Sequence, residues 1–155
     1  MPNKRSDSEM NLRLNELVER MPMQVWQITE ENTYGYLNQA HADFIGAKKE
    51  DPVGESVYRF LSKKSADRCI ESNKLVRRTK TEMTIDEWFI NARGENHLLH
   101  ITKTPKLDQD GNVLFVTCIA EDITGQHNLN ELKTKKEHIL NAIADFSREL
   151  FSERS

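Results

Sequence analysis

The chain has 155 residues, 37% apolar and 30% charged, with a net charge of −3. One domain of ordinary size with solvated flanking helices accommodates that mixture, and charges of both signs lie interspersed, so no nucleic-acid partner is expected. No apolar run approaches the roughly 18 residues of a membrane span, no signal peptide opens the chain, and Cys69 and Cys118 form no CxxC pair, which together predict a cytoplasmic protein.

Residues 1–8 read as a disordered tail. Over 9–21, Met10, Leu14, Leu17 and Met21 recur at alternating four- and three-residue spacing, an apolar seam on a flanking helix that ends before Pro22. "QVWQIT" and "TYGYLN" read as strands joined by a polar turn. Asn38 caps a short helix that stops at Gly46, with Ala40, Phe44 and Ile45 as its buried side. Pro52 and Gly54 mark loop and short helical turns. Ser62 or Ser65 caps a longer helix ending at Thr79, on which Ala66, Ile70, Asn73 and Val76 share one face.

Three strands follow, "TEMTIDEWFINA", "HLLHITKTPKL" and "VLFVTCIAED", separated by turns at Gly94 and Gly111. Met83, Ile85 and Phe89 fall on one side of the first, Leu99 and Ile101 on one side of the second. The third is apolar on both faces. Phe115, Thr117 and Ile119 are assigned to the inside and Leu114, Val116, Cys118 and Ala120 to the outside, so a second layer must cover the outer face. Cys69 reads as a small filler on the long helix and Cys118 as facing that outer cover. The order predicts an α+β fold: one five-stranded antiparallel sheet with short helices on one face, plus amphipathic helices at both ends.

The last segment, 125–155, is a helix with a narrow seam. Leu129, Leu132, Lys136, Ile139, Ile143, Phe146 and Leu150 alternate three and four apart, and Lys136 alone interrupts the apolar series. That is a coiled-coil pattern, so these seam residues are expected to pair in a homodimer. Asp122 or Thr124 is positioned to accept from the first free N–H groups, and Asp122, Ile123 and Thr124 are expected to transmit a signal from sheet to helix.

Between about Glu16 and Gln126 the chain resembles a PAS domain with its C-terminal PAC portion. The opening half is carried by "MPMQVWQITEENTYGYLNQAHADFIGAKKEDPVGESVYRFL" and the closing half by "NARGENHLLHITKTPKLDQDGNVLFVTCIAEDITGQ". The resemblance places the sensory domain at 22–124. It implies a module that senses a small ligand or a partner and contains no catalytic residues of its own. It also implies a homodimer through the flanking helices, and an effector following in cis, such as a histidine kinase or diguanylate cyclase of a signalling system. "ILNAIADFSRELF" looks like the lead-in to a further domain of a longer receptor. His138 in "HILNAI" does not continue into a kinase phosphoacceptor box.

The expected pocket is apolar, lined by Tyr58, Ile85, Phe89, Leu99, Ile101, Phe115 and Ile119, with Gln27, Tyr58, Asn73 and Thr117 as polar groups. It is either a filled core or a site for a small organic ligand of unknown identity. Flavin of the LOV type is not expected, because Tyr58 stands where the adduct-forming thiol would be and Phe89, Leu99 and Ile119 offer no amides. Haem is not expected either, since the helix before the three strands has no His. No metal site is expected: His97 and His100, three apart on a strand, point to opposite faces. Two other readings are a ligand-free interaction adaptor and an isomerase-like α+β enzyme using Asp86, Glu87 or His100 as base. The second needs ionisable groups converging in a pocket whose inward positions are mostly apolar.

Overall fold

Helix α1 spans Lys4–Arg20 and leads into strand β1, Gln24–Thr29. These come from a computed structural model that describes the backbone of residues 4–152 and the side chains of 8–151. The tail expected over 1–8 is therefore corrected: residues 4–8 continue the helix, and residues 1–3 lie outside the described residues. The last residues of the expected terminal helix, 153–155, also lie outside them.

β2 (Thr33–Leu37) pairs with β1, and α2 (Gln39–Ile45) follows at once. Asn38 makes that junction. Its Oδ1 accepts from Val25 N at 2.9 Å and His41 N at 3.1 Å, while Nδ2 donates to Val18 O and Met23 O, each at 2.9 Å. One fully buried amide thus caps α2 and holds the end of α1 against the start of β1, using both donors and its acceptor. The buried residues of α2 are His41, Ala42 and Ile45, with Phe44 partly buried, so His41 belongs to the core where the sequence suggested Ala40.

α2 ends at Gly46, whose φ of 72° is left-handed. A Cβ there would come within 2.5 Å of the Ala92 Cβ, on the turn after the third strand. Gly46→Ala should therefore destabilise the domain by about 2–4 kcal/mol, the sum of a left-handed penalty and overpacking. Urea unfolding of the variant checks this, and a loss under about 1 kcal/mol would show that the loop gives way.

A single 3-10 turn, Val57–Arg59, precedes α3 (Lys63–Thr79), which Ser62 caps through Ser65 N. β3 (Met83–Ile90), β4 (Asn96–Leu107) and β5 (Val113–Asp122) complete an antiparallel sheet of order β2-β1-β5-β4-β3. Residues up to Asp122 form one unit. The unit beginning at Ile123 consists of α4, Thr124–Ser152. Along it Leu129, Leu132, Ile139, Ile143, Phe146 and Leu150 are exposed.

Register decides which side chains face α3. Trp26 stands opposite Cys118, Cys118 opposite Lys103, and Lys103 opposite Met83, one row across the inner face. The next row is Gln24, Ala120, Ile101 and Ile85. Directly paired residues share a face, so Val116, Cys118 and Ala120 point inward, and each is buried. Phe115, Thr117 and Ile119 occupy the opposite, half-buried face, with Gln27 beside Thr117 and Val25 beside Ile119. The inside assignment of Phe115, Thr117 and Ile119 is thus reversed, as is the outward assignment of Cys118. A strand apolar on both faces carries no parity signal, and its inner positions are the smaller residues because α3 packs close over them.

Candidate functional site

The inner face is mostly apolar, and one polar cluster sits where α3 crosses β4. There Lys103, 1% exposed, extends its chain beneath the helix. Its Nζ donates to Asn73 Oδ1 at 2.7 Å and to the Cys69 carbonyl at 3.3 Å, and lies 3.7 Å from Cys69 Sγ. These contacts use the three N–H groups of an ammonium, and none of the partners is a carboxylate. Asn73 is fully buried and turns its Nδ2 to Cys69 Sγ at 3.6 Å. Cys118, across the strand pair from Lys103, is also buried, and burial pushes its thiol up to about 12 in spite of the lysine beside it. A cation held only by dipoles in an apolar core is costly, which makes it a candidate functional group.

A second polar cluster lies at the β1–α2 end. His41 stacks on Trp26 with ring centres 4.2 Å apart. Its Nδ1 contacts Gln24 Oε1 and its Nε2 contacts the Tyr34 hydroxyl, each at 2.9 Å. Gln24 Oε1 can only accept, so Nδ1 carries the proton and Nε2 accepts from Tyr34. Burial drives the His41 pKa down to about 3 and raises that of Tyr34 well above its ordinary value.

Of the residues assigned to the pocket from sequence, Asn73, Ile85, Phe89, Leu99 and Ile101 are brought together on the inner side. Phe115, Thr117, Ile119 and Gln27 are not, for the reason of register given above. Tyr58 is also misassigned: it sits on the 3-10 turn, 45% exposed, with its hydroxyl donating to Asp67 at 2.6 Å. Lys103 is one residue that sequence reasoning missed. The alternation Leu99, Ile101, Lys103 pointed to it, two positions beyond the last apolar member.

A groove of about 930 Å³ opens beside this cluster, between α3 and the edge strand β3. Leu75, Met83 and Ile85 give it an apolar floor, and Met83 is the direct cross-strand neighbour of Lys103. Arg68 pairs with Glu87 at 3.4 Å on its rim. His97 and His100 stand on opposite faces, opposite Phe89 and Asp86. Among the described residues no cluster of three His, Cys, Asp or Glu side chains is arranged for a metal.

At the end of β5, the Asp122 carboxylate accepts from His97 Nδ1 at 2.7 Å, and His97 Nε2 contacts Asn91 Nδ2 at 3.2 Å. Since the amide NH₂ only donates, Nε2 accepts and Nδ1 carries the proton. Asp122 is thereby tied to the β3–β4 hairpin. Ile123 and Thr124 follow directly, and the first helical hydrogen bond is His127 N to Ile123 O at 2.9 Å.

Comparison with known proteins bears on this geometry. The cyclic di-GMP phosphodiesterase PdeR of Escherichia coli strain K12 is 25% identical over 95 residues, 61% of this chain but 14% of PdeR. VqmA bound to DPO superposes with a TM-score of 0.64, covering 72% of this chain and 57% of VqmA at 21% identity. The Vibrio cholerae VqmA–ligand–DNA complex gives 0.65 at the same identity, with 50% of that chain covered. A PAS domain from Colwellia psychrerythraea gives 0.63 at 14% identity, over 75% of this chain and 98% of that one. The chain thus spans about half of VqmA and a small part of PdeR.

These likenesses correct the expectation about partners. VqmA carries this fold and is solved with DNA, so weak net charge on a sensory unit does not exclude nucleic acid from the partners of such proteins. The homodimer and the effector in cis that were expected with it are not shown. Among the described residues no helix is long and apolar enough to cross a membrane.

A family model described as the PAS fold matches residues 18–128, the span that holds the five strands, the helices over their inner face and the Lys103 cluster between them. On that match and that architecture, the chain belongs to the PAS-fold family.

Proposed function

We propose that this PAS unit is a sensory module of a signal-transduction protein. It takes a small organic ligand between α3 and the inner face of the sheet, and relays its arrival through β5 and Asp122, Ile123 and Thr124 into α4. The observation that carries this reading is the buried Lys103–Asn73–Cys69 cluster inside an apolar core. Apolar walls with a few convergent polar groups are what small-molecule sites use. The adjoining groove gives a route from solvent, since Met83 both lines it and faces Lys103. The fold shared with VqmA, solved bound to DPO, supports a ligand-taking role. The output is a signalling enzyme, a histidine kinase or diguanylate cyclase, and the likeness to PdeR supports a cyclic-dinucleotide setting. The module itself is non-catalytic and needs neither haem nor LOV-type flavin. In support, Glu87 is on the inner face opposite Leu99 while His100 is on the outer face with Asp86, so the candidate bases do not converge. Free, buried Cys69 and Cys118 fit a reducing cytoplasm.

Protein purified natively and then denatured should release a small organic molecule, and Lys103→Met should retain roughly tenfold less of it. Mass analysis of the extracts checks this; equal amounts from both proteins would remove Lys103 from the site. The relay has its own test. Amide exchange along α4 should respond to the extracted molecule in the natural sequence and not in Asp122→Ala, with affinity kept within about twofold. A full α4 response in Asp122→Ala would rule out the joint as transmitter.

A further inference from the structure

Arg77 lines the groove between α3 and β3, and its Nε and Nη2 are buried with no hydrogen-bond partner among the described residues. Buried polar atoms are rarely left unmatched, and each one that is calls for an explanation. The pair is also specific. Nε–H and the adjacent Nη2–H point in parallel from one edge of the planar group, the arrangement that meets both oxygens of a carboxylate or phosphate. Neighbouring charges do not satisfy it. Arg68 is paired with Glu87, and Lys74 lies 4.0 Å from Glu31. Glu71 shares the groove but does not reach those two nitrogens.

We propose that Arg77 is the recognition residue for an oxyanion, a carboxylate or a phosphate monoester, carried by the small ligand of this module. The oxyanion bridges Nε and Nη2, and the apolar body lies along Leu75, Met83 and Ile85 toward Lys103. The Arg77 contact then favours an acidic metabolite over a neutral or basic one. The organic part rests on the ligand reading above; the oxyanion contact does not.

The whole chain, labelled with nitrogen-15, is titrated separately with inorganic phosphate and with succinate at constant ionic strength, and the Arg77 Nε–H resonance is followed. A saturable shift is expected with at least one probe. Arg77→Lys keeps the charge but loses the parallel edge, so it should bind roughly tenfold more weakly. Arg93→Gln, an exposed cation outside the groove lining, should change binding by less than about twofold, which separates directed contact from general attraction. Saturation by phosphate alone assigns a phosphorylated ligand, and saturation by succinate alone a carboxylate. If neither probe saturates, or Arg77→Lys binds as well as the natural sequence, the proposal is overturned. Natively purified protein that releases no organic molecule yet still saturates with phosphate or succinate would fail the ligand reading alone, so failure of that reading and failure of the oxyanion contact give different results.

Discussion

Asn73→Ala is expected to destabilise the domain by about 2–4 kcal/mol, while Lys103→Met changes stability by under about 1 kcal/mol. The asymmetry follows from which group is left behind. Asn73 Oδ1 accepts from Lys103 Nζ at 2.7 Å, with the lysine 1% exposed. Removing the amide strands a cation whose remaining partners are one carbonyl at 3.3 Å and one sulfur at 3.7 Å. Removing the cation instead strands a neutral amide oxygen, at a smaller cost that the lost desolvation penalty of the ammonium offsets. The pair Asn73→Ala with Lys103→Met should therefore be more stable than Asn73→Ala alone by about 2 kcal/mol, a coupling that a double-mutant cycle in urea measures. Additive effects would mean that the lysine is solvated in solution rather than held by Asn73. If the natural sequence keeps a costly lysine where methionine folds equally well, stability does not explain its presence.

The sequence was most legible where two local signals agreed. α3 was bounded by a capping serine and confirmed by the spacing of Ala66, Ile70, Asn73 and Val76, all of which are buried. The hairpins joining β3, β4 and β5 were set by residues falling on one side of a strand and by glycines at positive φ, Gly94 at 80° and Gly111 at 82°. β5 was located correctly but turned over, because bulky Phe115 and Ile119 looked more core-like than Cys118 and Ala120. Size misled there: a helix crossing closely over the sheet requires small residues beneath it. Lys103 was hidden by its charge, although its parity with Ile101 was plain. Arg77 was illegible for a different reason. Its role depends on where α3 lies against the edge strand, and nothing in local pattern encodes that contact. His41 carries no local sign of burial, since only the tertiary fold sets it on Trp26 between Gln24 and Tyr34.

That histidine makes the domain acid-sensitive. Burial holds the folded-state pKa of His41 at about 3, against an ordinary value of 6.5. Between these values the unfolded chain binds a proton that the folded chain refuses, so acid favours unfolding. The contribution is complete above pH 6.5 and is lost as pH falls toward about 3. Its slope approaches about 1.4 kcal/mol per pH unit and its total is on the order of 5 kcal/mol. From about pH 7 to about pH 4.5 the natural sequence should lose roughly 3 kcal/mol through this group. His41→Gln gives up the stacking on Trp26 and is less stable at neutral pH by about 1–3 kcal/mol, but its stability should vary much less over the same interval. Urea midpoints of both proteins at the two pH values decide the matter. Equal losses in the two proteins would mean that the ring is reached by water in the folded state, and that the Gln24–His41–Tyr34 chain does not hold it neutral. A flattened profile in the variant would identify one buried imidazole, stacked on Trp26, as the main determinant of acid tolerance in the sensor unit.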